Sequence, residues 1–177
     1  MTFGFFDLIE SFSKPGCSVC NLLLTDVHRL LDSILYEYVT DPEIQAGFRG
    51  SRGLCDEHGW QLIKLRNALG VAVLYDCALD ELLKLLRQST PQGHDQQGLI
   101  SLLFPQNPNT AIINALEPTK PCIACKMQDE SEARYIRVLS EQIIDERMQS
   151  AYRASEGLCL QHFTQTLRHT QDVERSK

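Results

Sequence analysis

The sequence predicts an all-α protein made of tandem duplicated helical units, each with a Cys3His metal site joining two helix N-termini. Apolar residues recur at steps of three and four, and no stretch alternates convincingly with a period of two. A Cys-x-x-Cys followed by a Gly-Leu-Cys-x-x-His occurs twice. We therefore expect a first helical metal-binding repeat at 1–89, a linker with short helical segments at 90–118, and a second repeat at 119–177.

The first repeat contains patterns for three helices. Its apolar N-terminal segment, Phe3 to Phe12, is expected to cover the protein's own core. Apolar spacing from Leu23 to Tyr38 predicts a long helix, and Asp41-Pro42 then breaks it and begins a short one. A third, longer helix is predicted from the apolar stripe between Leu62 and Leu86, with Gly70 as a point of bending or interruption.

The linker is rich in Gln, Gly, Pro and Asn, although its segment Leu99 to Phe104 is apolar. A short helix is predicted from Thr110 to Leu116. In the second repeat, apolar positions between Ile136 and Ile143 predict its first helix, and Cys159 begins its last.

The two copies are in register over a long pattern. Cys17-x-x-Cys20 recurs 105 residues later (17 to 122), and Cys55-x-x-His58 recurs 104 residues later (55 to 159). Several flanking positions match as well: Asp41 with Asp145, Gln45 with Gln149, Phe48 with Tyr152, Arg49 with Arg153, and Ser51 with Ser155. Chance does not readily supply two such copies, so we interpret the chain as an internal duplication.

Cysteine and histidine at these spacings indicate zinc, because two donors on one helical turn converge and zinc prefers sulfur and nitrogen in a tetrahedron. We expect two zinc ions, each bound within one repeat. The first set is Cys17, Cys20, Cys55 and His58, and the second is Cys122, Cys125, Cys159 and His162. Three thiolates and a neutral imidazole around a divalent zinc ion carry a net charge of -1. Arg49, Arg52 and Arg153 are candidates to offset this charge from positions just outside the ligands.

Two other chemistries suit clustered cysteines. One is a pair of iron–sulfur clusters, although this spacing matches none of the common cluster motifs. The other is a thiol switch in which Cys17–Cys20 and Cys122–Cys125 form disulfides as the metal leaves. The seventh cysteine, Cys77, is on an apolar helix stripe, where a core role is expected and a reactive thiol is the alternative.

Charge and hydropathy disfavour nucleic-acid-binding, membrane-spanning and secreted proteins. The formal net charge of -6 disfavours a nucleic-acid partner, which would require an excess of Lys and Arg. No apolar run is long enough for a membrane span, and the N-terminus carries Asp7 and Glu10 without the basic region of a signal peptide. We expect a cytoplasmic protein.

One further resemblance covers nearly the whole chain. The segments Leu35-Tyr36-Glu37-Tyr38, Ser51-Arg52-Gly53-Leu54-Cys55 and His58-Gly59-Trp60, with the second cysteine set, resemble a family of uncharacterised bacterial and archaeal proteins. Its members carry a Cys-x-x-Cys and a Gly-Leu-Cys-x-x-His, and then the same pair near the C-terminus. The resemblance implies a duplicated helical metal-binding protein and implies no activity.

We therefore predict a zinc-binding protein with two structural sites that serves as an interaction or adaptor module for a protein partner. The absence of a catalytic motif favours a non-enzymatic role. A thiol or zinc sensor is one alternative. The other is an enzyme with a pocket between the two halves, lined by Leu99 to Phe104.

Overall fold

A computed structural model describes residues 4–89 and 108–175 of the chain. Within these ranges all regular secondary structure is helical and no strand is present, which confirms the all-α prediction. No helix in this part of the chain is both long and apolar enough to cross a membrane. The predicted apolar segment Leu99 to Phe104 lies outside the described residues.

The helices of the described residues follow one another with short connections. They are α1 (Phe5–Phe12), α2 (Ser18–Tyr36), α3 (Pro42–Gly50), α4 (Asp56–Lys64), α5 (Ala68–Ser89), α6 (Pro108–Leu116), α7 (Ile123–Gln142), α8 (Glu146–Ala154) and α9 (Leu160–Arg175). The order of a long helix, a nine-residue helix and a helix beginning at Cys-x-x-His occurs first in α2–α4 and again in α7–α9.

The long third helix that the sequence predicts is in fact two helices. The chain leaves helical geometry at Arg66, whose φ is 59°, and α5 begins two residues later. The side chain of Asn67 accepts a hydrogen bond from the backbone N–H of Gly70 at 2.9 Å, as a helix cap does. The interruption therefore precedes Gly70. That glycine instead allows close packing, because a Cβ there would lie 2.9 Å from a methyl carbon of Leu35.

The shorter helices α3 and α8 begin in the same way. Asp41 caps α3 by accepting hydrogen bonds from the N–H groups of Glu43 and Ile44, and Asp145 caps α8 by accepting one from Arg147. These two aspartates occupy corresponding positions of the proposed duplication. Each cap sets where the short helix begins, and thereby where the following Gly-Leu-Cys segment emerges.

The chain divides into two compact units. Unit 1 contains residues 1–30 and 126–177, and unit 2 contains residues 31–125. The boundaries of these units do not coincide with the predicted division into 1–89, 90–118 and 119–177. They fall inside α2 and α7, so each of these helices contributes residues to both units.

The core of unit 1 is formed by α1, α2, α7 and α8. Phe5, Leu8 and Phe12 of α1 are buried in it, which agrees with the expectation that the N-terminal segment covers the core. The buried side chains around them are Val19, Leu22, Leu23, Tyr135, Ile136, Val138, Leu139 and Met148. Cys17 and Leu158 pack against this cluster, so the same core supports two segments that carry candidate metal ligands.

In unit 2, α5 packs against α3, α4 and α6. Phe48 of α3 is fully buried and meets the ring of Tyr75 of α5 edge-on, with ring centroids 5.5 Å apart. Leu62 of α4 and Leu74 of α5 are also fully buried. These contacts hold the end of α3 and the start of α4 together, and this is where Cys55 and His58 lie.

Candidate metal sites

Unit 1 contains one group of four candidate ligands, which we call site A: Cys17, Cys20, Cys159 and His162. Cys17 precedes α2, and Cys20 is in the first turn of that helix. Cys159 and His162 hold the corresponding places at the start of α9. The carbonyls of Cys17 and Cys159 accept the first helical hydrogen bonds, from Asn21 and Phe163.

The donor atoms of site A converge on the imidazole of His162. Its Nδ1 is 3.3 Å from the sulfur of Cys17, 3.4 Å from that of Cys20 and 3.2 Å from that of Cys159. The sulfurs of Cys20 and Cys159 are 3.9 Å apart. His162 is only 4% exposed, whereas the three cysteines are half-buried.

Unit 2 contains the second group, site B: Cys55, His58, Cys122 and Cys125. Here Cys55 occupies the N-cap position of α4 and His58 is in the first turn of that helix, while Cys122 and Cys125 lie at the start of α7. The Nδ1 of His58 lies 3.1 Å, 3.8 Å and 3.4 Å from the sulfurs of Cys55, Cys122 and Cys125. The sulfurs of Cys55 and Cys125 are 3.5 Å apart.

These spacings fit the edges of a tetrahedron around a metal ion of the size of zinc. Typical zinc–sulfur and zinc–nitrogen bonds of about 2.3 Å and 2.0 Å give sulfur–sulfur edges of roughly 3.8 Å and sulfur–nitrogen edges of roughly 3.5 Å. In both sites all four donor atoms lie within 4.8 Å of one another. Each Cys3His group could therefore hold one metal ion, and each joins the N-termini of two helices.

The predicted grouping of the ligands into two sets is wrong, although the two sets in the structure together contain all eight predicted residues. The sequence prediction joined Cys17 and Cys20 to Cys55 and His58 within the first repeat. The structure instead joins Cys17 and Cys20 to the second repeat's Cys159 and His162. The other prediction, which joined Cys122 and Cys125 to Cys159 and His162, is replaced in the same way by the pairing with Cys55 and His58.

The long helices explain this exchange. With 19 residues, α2 is about 28 Å long, so it carries the chain away from Cys17 and Cys20 at its start. The following α3 has only nine residues, and Cys55 then lies in unit 2. By the same geometry α7 begins at site B, and the chain after it belongs to unit 1.

Each site is reinforced by a hydrogen bond between the segments that precede its two ligand pairs. At site B the carbonyl of Gly50 accepts from the backbone N–H of Thr119 at 2.8 Å. At site A the backbone N–H of Gly16 donates to the carboxylate of Glu156 at 2.7 Å. These contacts bring distant parts of the sequence together beside the ligands.

Burial and neighbouring groups shift the pKa values of thiols in both sites. At Cys17 burial raises the pKa, but hydrogen bonds from the backbone of Cys159 and Cys20 and from the side chain of His162 lower it to about 7. Burial and then the neighbouring thiol of Cys17 raise the pKa of Cys20 to about 12. At Cys125 burial and the nearby Cys55 and Cys122 raise the pKa to about 12. Thiolates at such distances repel one another, and a cation bound among them would relieve this repulsion.

One family model covers nearly the whole chain. The model of a family described as "Family of unknown function (DUF6062)" matches residues 7–177. The chain belongs to this family. No curated protein and no solved structure matches it. Membership in this family confirms the resemblance and assigns no activity, so function has to be argued from the sites themselves.

Site A has a carboxylate neighbour that the spacing of the ligands does not predict. The Nε2 of His162 lies 2.9 Å from a carboxylate oxygen of Glu132 on α7, and Gln161 donates to the same oxygen at 3.3 Å. When Nδ1 binds a metal at site A, Nε2 carries the proton and donates to Glu132. A carboxylate in this position fixes the orientation of a ligating imidazole and raises its basicity.

Replacing Glu132 with Gln should weaken metal binding at site A by roughly 10- to 100-fold and leave site B unchanged. The reason is that an amide oxygen accepts the imidazole proton without the negative charge that makes the ligand more basic. Competition with a chromophoric zinc chelator would measure the two affinities in one sample. The residue at the corresponding position of the first repeat is Val27, so site B is an internal control. Equal loss at both sites would contradict this role.

The three arginines proposed as second-layer groups remain a prediction. The guanidinium of Arg52 donates to the carbonyl of Arg49 at 2.8 Å, and Arg153 is exposed on α8.

The guanidinium of Arg49 is close enough to Cys77 to counteract part of the pKa increase that burial imposes on that thiol. Cys77 is half-buried and donates to the carbonyl of Leu74 at 3.0 Å. These contacts favour the packing role over the reactive one.

The glycines before the two Cys-x-x-His segments offer a matched pair for mutation. Gly53 and Gly157 have φ values of 97° and 85°, which are unfavourable for residues with a side chain. At Gly53 an added Cβ would also lie 3.3 Å from the ring of Tyr75, whereas at Gly157 nothing lies within 4 Å. Alanine at position 157 therefore adds backbone strain alone, whereas alanine at position 53 adds both backbone strain and a close contact with Tyr75.

We expect Gly157→Ala to lower the free energy of unfolding by about 1–2 kcal/mol, through backbone strain alone. Gly53→Ala should lower it further and should also loosen the metal at site B, because Tyr75 must move. Urea unfolding monitored by circular dichroism, together with metal titration, would measure both effects. A larger loss at Gly157 than at Gly53 would contradict the crowding argument.

Proposed function

We propose that the protein binds two zinc ions in structural sites and acts in the cytoplasm as an interaction or adaptor module for a protein partner. The observation that carries this proposal is the presence of two complete Cys3His sets. A tetrahedral zinc with four protein ligands has no position left for water or substrate. Catalytic zinc normally keeps such a position, so closed sites favour a structural role.

The ligand type favours zinc over harder cations. Sulfur and imidazole donors suit zinc, whereas magnesium and calcium require oxygen ligands. Free thiols in this number also suit a reducing compartment, which supports the proposed cytoplasmic location. Iron–sulfur clusters remain the competing occupant, because they also use thiolates.

An exposed apolar stripe on α9 supports a protein partner. Leu160, Phe163 and Leu167 are 81%, 43% and 49% exposed, and they follow one another at steps of three and four. Such a row on one helix face is typical of surfaces that dock onto a partner. Because α9 begins at Cys159, metal at site A would also fix the start of this surface.

Elemental analysis of protein purified without added metal, with a visible absorption spectrum, tests the occupant directly. We expect two zinc ions per chain and no visible absorbance. Iron with visible absorbance would overturn the structural-zinc proposal and make electron transfer or redox sensing the leading function. Loss of both metals at mild ionic strength, with the fold intact, would also contradict a structural role.

A thiol sensor is the second candidate. The observation that favours it is that all six cysteines of the sites are only half-buried, so a small oxidant can reach them. Two pairs of sulfurs are close: Cys55 with Cys125 at 3.5 Å, and Cys20 with Cys159 at 3.9 Å. Peroxide would oxidise such a pair of thiolates to a disulfide, would itself be reduced to water, and zinc would be released.

Stoichiometric zinc release by mild peroxide, followed by peptide mapping of disulfides, tests the sensor. The sensor role requires one zinc released per disulfide formed, with a reversible change in helicity. Retention of both metals at peroxide levels that oxidise an exposed reference thiol would exclude it and leave the structural role.

A further inference from the structure

Unit 1 contains a groove that the metal sites do not account for. It lies between α7 and α9 and has a volume of about 660 Å³, within the range of sites for small ligands. Glu132 of α7 neighbours Gln161, and Ser140 of α7 neighbours His169, so the two helices run in the same direction along the groove. Ala133 and Ile136 provide the apolar part of its lining.

Opposite charges are separated along this groove. Asp129, Glu130 and Glu132 line the part near the start of α7, and Arg137 and Arg168 line it further along. Arg134 also lines the groove, but its guanidinium is paired with Asp26 at 3.1 Å. From Asp129 to Arg137 the helix rises eight residues, or about 12 Å. In the described part of the chain neither Arg137 nor Arg168 is in an ion pair, so their guanidinium groups are available to an anion.

The groove also contains a buried acceptor without a donor. The side-chain oxygen Oε1 of Gln165, on α9, is buried and has no hydrogen-bond partner in the structure. In the sequence of α9 this residue lies between Gln161, near the acidic end, and Arg168, at the basic end. Leaving a buried acceptor unsatisfied is unfavourable, so a rotation of the Gln165 side chain that presents Oε1 to a ligand N–H in the groove would gain affinity.

We propose that this groove binds a short zwitterionic peptide of about three residues. Its ammonium group would lie among Asp129, Glu130 and Glu132, and its carboxylate would bind Arg137 and Arg168, as guanidinium groups favour. A backbone N–H between the two ends would donate to Gln165. An extended tripeptide spans about 10 Å, close to the rise of about 12 Å between Asp129 and Arg137.

Isothermal titration calorimetry of the full-length, metal-loaded protein with trialanine tests this assignment. We expect trialanine to bind, and we expect N-acetyl-trialanine and trialanine amide each to bind about tenfold more weakly, because each loses one charged end. Free alanine is too short to reach both ends and should not bind measurably. Affinity should fall with added salt.

Two substitutions localise the binding. Arg168→Gln should weaken trialanine binding about tenfold, whereas Arg153→Gln, an exposed arginine on α8 outside the groove, should leave it unchanged. Gln165→Leu should weaken binding severalfold through loss of the acceptor. Circular dichroism and metal content check that each variant keeps its fold and both metals. Absence of heat at millimolar peptide, equal binding of the blocked peptides, or normal binding by Arg168→Gln would overturn the proposal, and none of these outcomes bears on the zinc sites.

Discussion

Removing the metal with a strong zinc chelator should lower the midpoint of thermal unfolding by roughly 20 °C or more. A structural zinc site contributes on the order of 10 kcal/mol to folding, and a domain has only about 5–15 kcal/mol in total. Under the proposed function each unit depends on one such site, because each Cys3His group joins two helix N-termini. Circular dichroism with and without chelator measures the loss of helix and of stability.

Restoration by different cations is the control for this experiment. Added zinc should restore the melting curve, and added magnesium should not, because magnesium prefers oxygen ligands. An unchanged melting temperature after both metals have been removed would contradict the structural role of the sites. The buried core of unit 1 is formed by side chains other than the candidate ligands, so some helix is expected to survive chelation.

Cutting the chain between residues 90 and 107 should leave its two fragments bound to each other while metal is present. Site A takes Cys17 and Cys20 from the first fragment, and Cys159 and His162 from the second. Site B likewise takes one pair of ligands from each fragment. A protease site introduced into this segment, followed by size-exclusion chromatography and metal analysis, would test the expectation.

The metal-loaded fragments should elute as one species with two metals, and chelation should weaken their association by several orders of magnitude. The uncut protein treated with the same protease is the control for cleavage elsewhere. Separation of the fragments under native conditions, each with one metal, would show that every site is built within a single repeat. That outcome would contradict the ligand sets described here.

The donor residues were predictable from the sequence because each pair of donors lies within a few neighbouring positions of the chain. Cys-x-x-Cys and Cys-x-x-His each place two donors on one turn, and no tertiary information is needed to recognise them. The beginning of the short helices was equally local, since Asp41 supplies a cap before a proline and Asp145 repeats it. The helical class followed from apolar spacing alone.

The combination of donors was not predictable in this way. Both Cys-x-x-His segments present the same atoms at the same helix position, so chemistry does not distinguish which one completes Cys17 and Cys20. The choice is made by α2 and α7, whose lengths carry the chain from one compact unit into the other. The contact between Glu132 and His162 was not predictable for a related reason, because it joins residues 30 positions apart on different helices.

The most direct test of the exchanged ligand sets is the pattern of thiol protection in Cys55→Ser. This variant should retain one metal per chain instead of two. Timed alkylation followed by mass spectrometry would then report which other cysteines have become reactive. The ligand sets of the structure predict rapid modification of Cys122 and Cys125, with Cys17 and Cys20 still protected by metal at site A. Rapid modification of Cys17 and Cys20, with Cys122 and Cys125 protected, would contradict them.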